Sequence, residues 1–206
     1  MLFRSYSASK GCAELATAAY HRSFFEVTDC PVGVATVRAG NVIGGGDWAE
    51  DRLVPDAVRA LQLGKSLVVR NPEAVRPWQH VLEPLAGYLM LAERLYREGA
   101  KWAEAWNFGP SDEEASTVAV LAERFFHVWG EGSWLTSLQE SAPYEARSLK
   151  LDCSKARQVL GWRPRLSLDE AVALTVDWYR QALSYQSVQK MYEMTCDQIT
   201  NYEAKG

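Results

Sequence analysis

Small and apolar residues return at helical spacing along the first stretch of the chain, at Ala8, Cys12, Leu15, Ala16, Ala19 and Phe24. The pattern predicts one long helix from Tyr6 to Phe25, with Pro31 closing the turn after it. Val32 to Ala39 (VGVATVRA) is short, β-branched and apolar on both faces, which predicts a buried parallel strand. The segment GNVIGGGDW that follows reads as a glycine-rich turn. Beyond it the pattern predicts a helix over Pro55–Leu63 ended by Gly64, strands over Ser66–Arg70 and Val75–Val81, and a second long helix over Pro84–Arg97 stopped by Gly99. Ala105–Phe108 is a further strand, Thr117–Trp129 a helix and Ser148–Leu151 an extended segment. Helices starting at Ser154 and spanning Leu168–Leu183 flank a stop at Leu160–Trp162, and the tail after Ser184 is a weakly amphipathic helix. Strands and helices alternate, so the class is α/β.

Composition narrows the function without naming it. The 206 residues, 48% of them hydrophobic, suffice for one sizeable core, or a core plus a small lobe. A net charge of -4 with no run of lysine or arginine argues against a nucleic-acid partner, because phosphate contacts need a clustered basic face. Cys12, Cys30, Cys153 and Cys196 form no C-x-x-C pair, which implies neither a metal site nor a disulfide framework. No stretch approaches the roughly 20 apolar residues of a membrane span, and no basic-then-apolar leader opens the chain. The expectation is a cytoplasmic protein with reduced thiols and no membrane partner.

The chemistry-bearing residues sit near the start. Tyr6 and Lys10 are four apart, one turn apart on one helix face. A tyrosine with a pKa of about 10 is a poor base at neutral pH, and a neighbouring ammonium favours the phenolate, so the pair suits proton removal from a sugar or alcohol hydroxyl. With nine tyrosines in the chain the spacing alone is weak, and a surface tyrosine is the plain alternative. A dinucleotide site needs a glycine-rich turn after its first strand, yet there is no G-x-G-x-x-G and no P-loop, and Gly44–Gly46 is not spaced to open a helix over a pyrophosphate.

Five ordered motifs carry a resemblance: YSASKGCAELATAAYHRSFF, VATVRAGNVIGGGDW, RPWQHVLEPLAGYLMLAE, WNFGP and LDCSKARQVLGWRPRLSLDEAV. In that order the chain resembles the C-terminal part of the extended short-chain dehydrogenase/reductases that act on nucleotide sugars, and within them most closely the CDP-glucose 4,6-dehydratases. The resemblance implies the C-terminal part of a Rossmann fold plus a smaller α/β substrate-binding lobe. Residues 1–40 would be the remnant of the NAD-binding domain, and 41–206 mainly the nucleotide-sugar lobe, with strand 105–108 returning to the Rossmann sheet. It implies NAD as cofactor, CDP-glucose as substrate, a homodimer, and a 4-keto-6-deoxy sugar product that feeds bacterial surface deoxysugars. Residues 1–5 depart from the family's Asp-Pro before the tyrosine, which reads as a junction ahead of a C-terminal fragment, inactive alone.

Residue by residue, the resemblance makes Tyr6 the first base, and Lys10 the group that lowers its pKa and holds the nicotinamide ribose. It makes Arg76 the contact to the nucleotide diphosphate, where a surface ion pair is the alternative, and Asn41 a substrate contact, where a turn asparagine is the alternative. Asn107 is a further substrate contact or a strand-end cap. Leu53 and the Leu67–Val69 segment around Val68 align with backbone contacts to the base. Tyr144 stands where a histidine is commoner. Trp78, Trp106 and Trp162 are assigned to packing, and His80 to structure. Another nucleotide-sugar epimerase or dehydratase, and a non-catalytic binding or pairing module, are the rival readings.

Overall fold

The computed structural model describes residues 5–26, 32–111, 115–137, 147–184 and 187–206, and the backbone alone for residues 5–7. Pro31, Cys30, Tyr144 and residues 1–4 lie outside the described residues. Two compact units emerge, one from Met1–Arg38, Ala86–Phe108 and Cys153–Trp162, the other from Ala39–Leu85, Gly109–Asp152 and Arg163–Gly206.

In the first unit, α1 (Ser5–Phe24) covers the expected helix. Its small-residue face does not go inward: Ala8, Cys12, Leu15, Ala16 and Ala19 are exposed, with Leu15 at 73%. The expected buried strand shrinks to β1 (Thr36–Ala39), half-buried, with Val37 39% exposed. Among the described residues β1 pairs with one strand, β6 (Ala105–Phe108), so a segment apolar on both faces lacks the second flank that would bury it. The core lies between β6, the 86–98 part of α3 (Leu82–Glu98) and a π-helical turn at Ala156–Leu160, and holds Leu91, Trp102, Trp106, Phe108, Leu160 and Trp162. Gly87 lets α3 lie directly on β6: a Cβ there would stand 2.3 Å from the Phe108 ring.

The second unit is built from short strand pairs packed on helices. The glycine-rich turn contains a strand missed by the pattern, β2 (Asn41–Ile43), parallel to β5 (Trp78–His80) with Asn41 opposite Trp78. The single strand expected over Val75–Val81 is two, because Pro77 has no N–H to donate: β4 (Val75–Arg76) runs antiparallel to β7 (Ser116–Thr117), while β5 joins β2. β3 (Leu67–Val69) pairs in parallel with an unexpected strand, β8 (Trp134–Thr136). Ser148 makes an isolated bridge to Val75, so the extended segment there is no full strand. Helices α2 (Leu53–Gln62), α4 (Val118–Trp129) and α5 (Leu168–Ser184) close over a core centred on Val58, Leu121, Phe125, Val172, Val176 and Tyr179. Thr117 caps α4 by accepting the Val120 N–H, and Gly130 (φ 87°) ends it in the left-handed region. The tail forms α6 (Val188–Glu203), which buries Met194, Gln198 and Tyr202. No helix among the described residues is long and apolar enough to cross a membrane.

Candidate active site

The base-pair positions occupy the first turns of α1. Positions 6 and 10 share a face one turn apart, and Lys10 is exposed. One turn further along the same face stands Glu14, which sequence reasoning missed. Thr36 Oγ1 donates to Glu14 Oε2 at 2.7 Å, and Arg38 Nε donates to Glu14 Oε1 at 2.8 Å. Arg38 Nη1 also donates to Asn107 Oδ1 at 3.0 Å. The structure therefore brings Asn107 on β6, Arg38 on β1 and the helix of Tyr6 and Lys10 into one connected cluster. The Arg38 guanidinium lowers the Glu14 pKa from the ordinary carboxylate value; burial opposes it, and Thr36 adds a smaller lowering. A signal was available in the pattern: an acid four residues after Lys10, and one arginine in an otherwise apolar strand.

In the second unit, Asn41 opens β2, and its N–H donates to the Pro77 carbonyl at 3.0 Å. That pairing sets Asn41 beside the backbone that carries Arg76. Arg76 is 5% exposed, so it is not a surface side chain, and its Nη1 donates to the Val75 carbonyl at 2.8 Å. Leu53 is the first residue of α2 and packs its side chain on the core, while Val68, in the middle of β3, turns outward at 57% exposure.

Trp78, Trp106 and Trp162 are buried in the two cores, as packing residues should be. His80 is also buried, at 2% exposure; its Nδ1 accepts the Leu82 N–H at 3.4 Å, and burial pulls its pKa down to about 4, so it is neutral near pH 7. Three residues on, Glu83 is 1% exposed and accepts N–H groups from Arg165 at 2.8 Å and Leu166 at 2.7 Å, and the Tyr202 hydroxyl at 2.8 Å. Burial raises its pKa against those three hydrogen bonds. An acid in the first turn of a helix reads as a surface residue favouring the dipole, and only the chain folding back over it reveals the latch.

Comparison with known proteins bears on the family and the fold. A match to the GDP-mannose 4,6 dehydratase family spans residues 4–175. The chain is 53% identical over 179 residues to the CDP-glucose 4,6-dehydratase of Salmonella typhimurium, covering 85% of this chain and 50% of that one. It is 29% identical over 182 residues to the dTDP-glucose 4,6-dehydratase of Streptomyces antibioticus, covering 85% of this chain and 48% of that one. The crystal structure of dTDP-glucose 4,6-dehydratase from Bacillus anthracis in complex with NAD superposes with a TM-score of 0.69 at 20% identity, over 90% of this chain and 55% of that one. The chain thus spans about half the length of the curated relatives it matches.

Proposed function

The chain belongs to the GDP-mannose 4,6 dehydratase family, and on that premise we propose that it serves the NAD-dependent conversion of CDP-glucose to CDP-4-keto-6-deoxyglucose. The observation that carries the reading is the 53% identity to a CDP-glucose 4,6-dehydratase, against 29% to a dTDP-glucose enzyme over a similar span. That contrast also favours the cytidine nucleotide over the rival bases.

Tyr6 accepts the O4 proton of the glucose as C4 is oxidised, and Lys10, one turn away, stabilises the phenolate that does so. An ammonium exposed on the face shared with a tyrosine position is a donor set that fits a ribose diol, so Lys10 and Tyr6 hold the nicotinamide ribose. NAD, when bound, supplies the site that takes hydride from C4 and returns it at C6 after water is lost across C5 and C6. Arg76 pairs with the diphosphate, for which a planar fork held by neighbouring backbone is pre-set. Asn41 and Asn107 contact the sugar, and backbone at Leu53 and Val68 holds the base. Two copies pair through α1, where Ala8, Cys12, Leu15, Ala16 and Ala19 leave an exposed, closely approachable face. The setting is the cytoplasm, and the product feeds surface deoxysugar synthesis.

The test offers CDP-, dTDP- and UDP-glucose with NAD to the chain alone and to the chain combined with the N-terminal half of the Salmonella typhimurium relative, and follows 4-keto sugar formation. CDP-glucose is the preferred substrate of the active form, and Tyr6→Phe lowers kcat by about 100-fold or more. Preference for another nucleotide sugar, or an active Tyr6→Phe, refutes the reading. Binding of CDP-glucose with no turnover in either form favours the non-catalytic module instead.

A further inference from the structure

Glu14 lies on the helix of Tyr6 and Lys10, α1 (Ser5–Phe24). Most of its described positions are exposed, and its small-residue face makes no inward stripe. Against that background the Glu14 carboxylate stands out, because both its oxygens are engaged by one strand, through Thr36 at 2.7 Å and Arg38 at 2.8 Å. The same guanidinium grips the Asn107 side-chain carbonyl at 3.0 Å, and Asn107 lies on the neighbouring strand.

Helical geometry turns this contact into a statement about Tyr6. Residues 6, 10 and 14 step by four, so each is rotated about 40° and displaced about 6 Å from the last. A rotation or slide of α1 at Glu14 is carried to Lys10 and Tyr6 through a rigid backbone. The Arg38–Asn107 bond also settles which end of the amide faces the guanidinium: the carbonyl accepts from Arg38, so the NH2 end points to the other side.

We propose that Glu14 and Arg38 are positioning residues, which fix the helix of Tyr6 and Lys10 and the amide of Asn107 to the single strand β1, and so set the spacing between the proton acceptor and a substrate-contacting amide. The proposal rests on the dehydratase reading for the roles of Tyr6 and Asn107. The two side chains are 31% and 41% exposed, so their attraction is screened by water and adds little to global stability. Reactions that depend on near-attack geometry respond far more steeply, with a misplacement of about 1 Å costing up to about 100-fold in rate. Small stability and large rate effects are what separate positioning from folding.

The experiment compares Glu14→Ala, Glu14→Gln and Arg38→Lys in whichever form is active in the assay above. Glu14→Ala lowers kcat by roughly 10- to 100-fold, with KM for CDP-glucose and the pH profile of kcat little changed and the Tm within about 2 °C. Glu14→Gln, whose amide oxygen still accepts from Arg38 while its NH2 donates to a reversed Thr36 hydroxyl, keeps the two contacts without the charge and restores part of the rate. Unchanged kcat in Glu14→Ala beside an active parent overturns the proposal, and so does a loss of kcat that tracks a falling Tm. Failure of the dehydratase reading is recognised separately, by an inactive parent. Hydrogen exchange on the 206-residue chain decides the matter in that case: α1 amides exchange roughly 3- to 10-fold faster in Glu14→Ala with other segments unaffected, whereas unaltered α1 exchange overturns the anchor.

Discussion

Tyr202→Phe removes a single oxygen from the second unit, and its cost can be worked from the latch around Glu83. The hydroxyl donates to Glu83 Oε2 at 2.8 Å, and the two residues are 4% and 1% exposed. Phenylalanine keeps the ring against the Arg165 guanidinium, 5.0 Å from its centroid, so packing is conserved and only the bond is lost. A bond to a buried carboxylate contributes about 1.5–3 kcal/mol, and no water reaches the vacated acceptor to replace it. For a chain of this size about 2 kcal/mol corresponds to a fall of about 4–8 °C in Tm. The pH dependence follows from the direction of the Glu83 shift. Burial raises its folded pKa above the ordinary carboxylate value, so as pH rises through that interval the unfolded chain ionises first and stability declines. The Tyr202 hydroxyl favours the ionised form and limits that decline, so its loss costs more near pH 7 than near pH 4, where Glu83 is protonated in the folded chain and mostly so in the unfolded one. Thermal and urea unfolding of wild type and Tyr202→Phe at the two pH values measure this. A Tm difference below about 1 °C, or one independent of pH, refutes the latch.

His80, neutral and buried with its pKa pulled down to about 4, binds its proton more readily when unfolded. Stability is therefore lost as pH falls from about 6.5 toward 4, by roughly 3 kcal/mol, and His80→Gln flattens that part of the urea-unfolding profile. If α1 is the face through which two copies meet, Ala16→Glu places a charge on the exposed stripe of Ala8, Cys12 and Ala19 and converts a dimer to a monomer in sedimentation velocity; a dimer that survives the substitution excludes this face.

Local signals were enough wherever an element's own residues dictate it. The α1 span, the helix over Thr117–Trp129 and the short β6 strand all read from spacing and from turn residues, because helical periodicity and turn chemistry act within a few positions. The Tyr6–Lys10 pair was legible for the same reason, as two positions on one helical face. Pattern failed where the decision belongs to distant partners. Asn41–Ile43 reads as a glycine-rich turn and becomes a strand because β5 supplies its hydrogen bonds, and Val32–Ala39 reads as buried but stays half-exposed with one neighbour. Val75–Val81 reads as one strand, yet Pro77 divides it between two pairings. The Arg38–Asn107 bond of the Glu14 cluster reaches across 69 positions, and the Glu83–Tyr202 bond across 119. A charged side chain looks like a solvated surface residue until the fold brings it a partner, because burial and hydrogen-bond satisfaction are properties of the packed chain and not of the residue. Sequence by itself determined the helices and the Tyr6–Lys10 spacing, which are local; tertiary structure alone decided which short strands form, which polar atoms are buried, and what holds them.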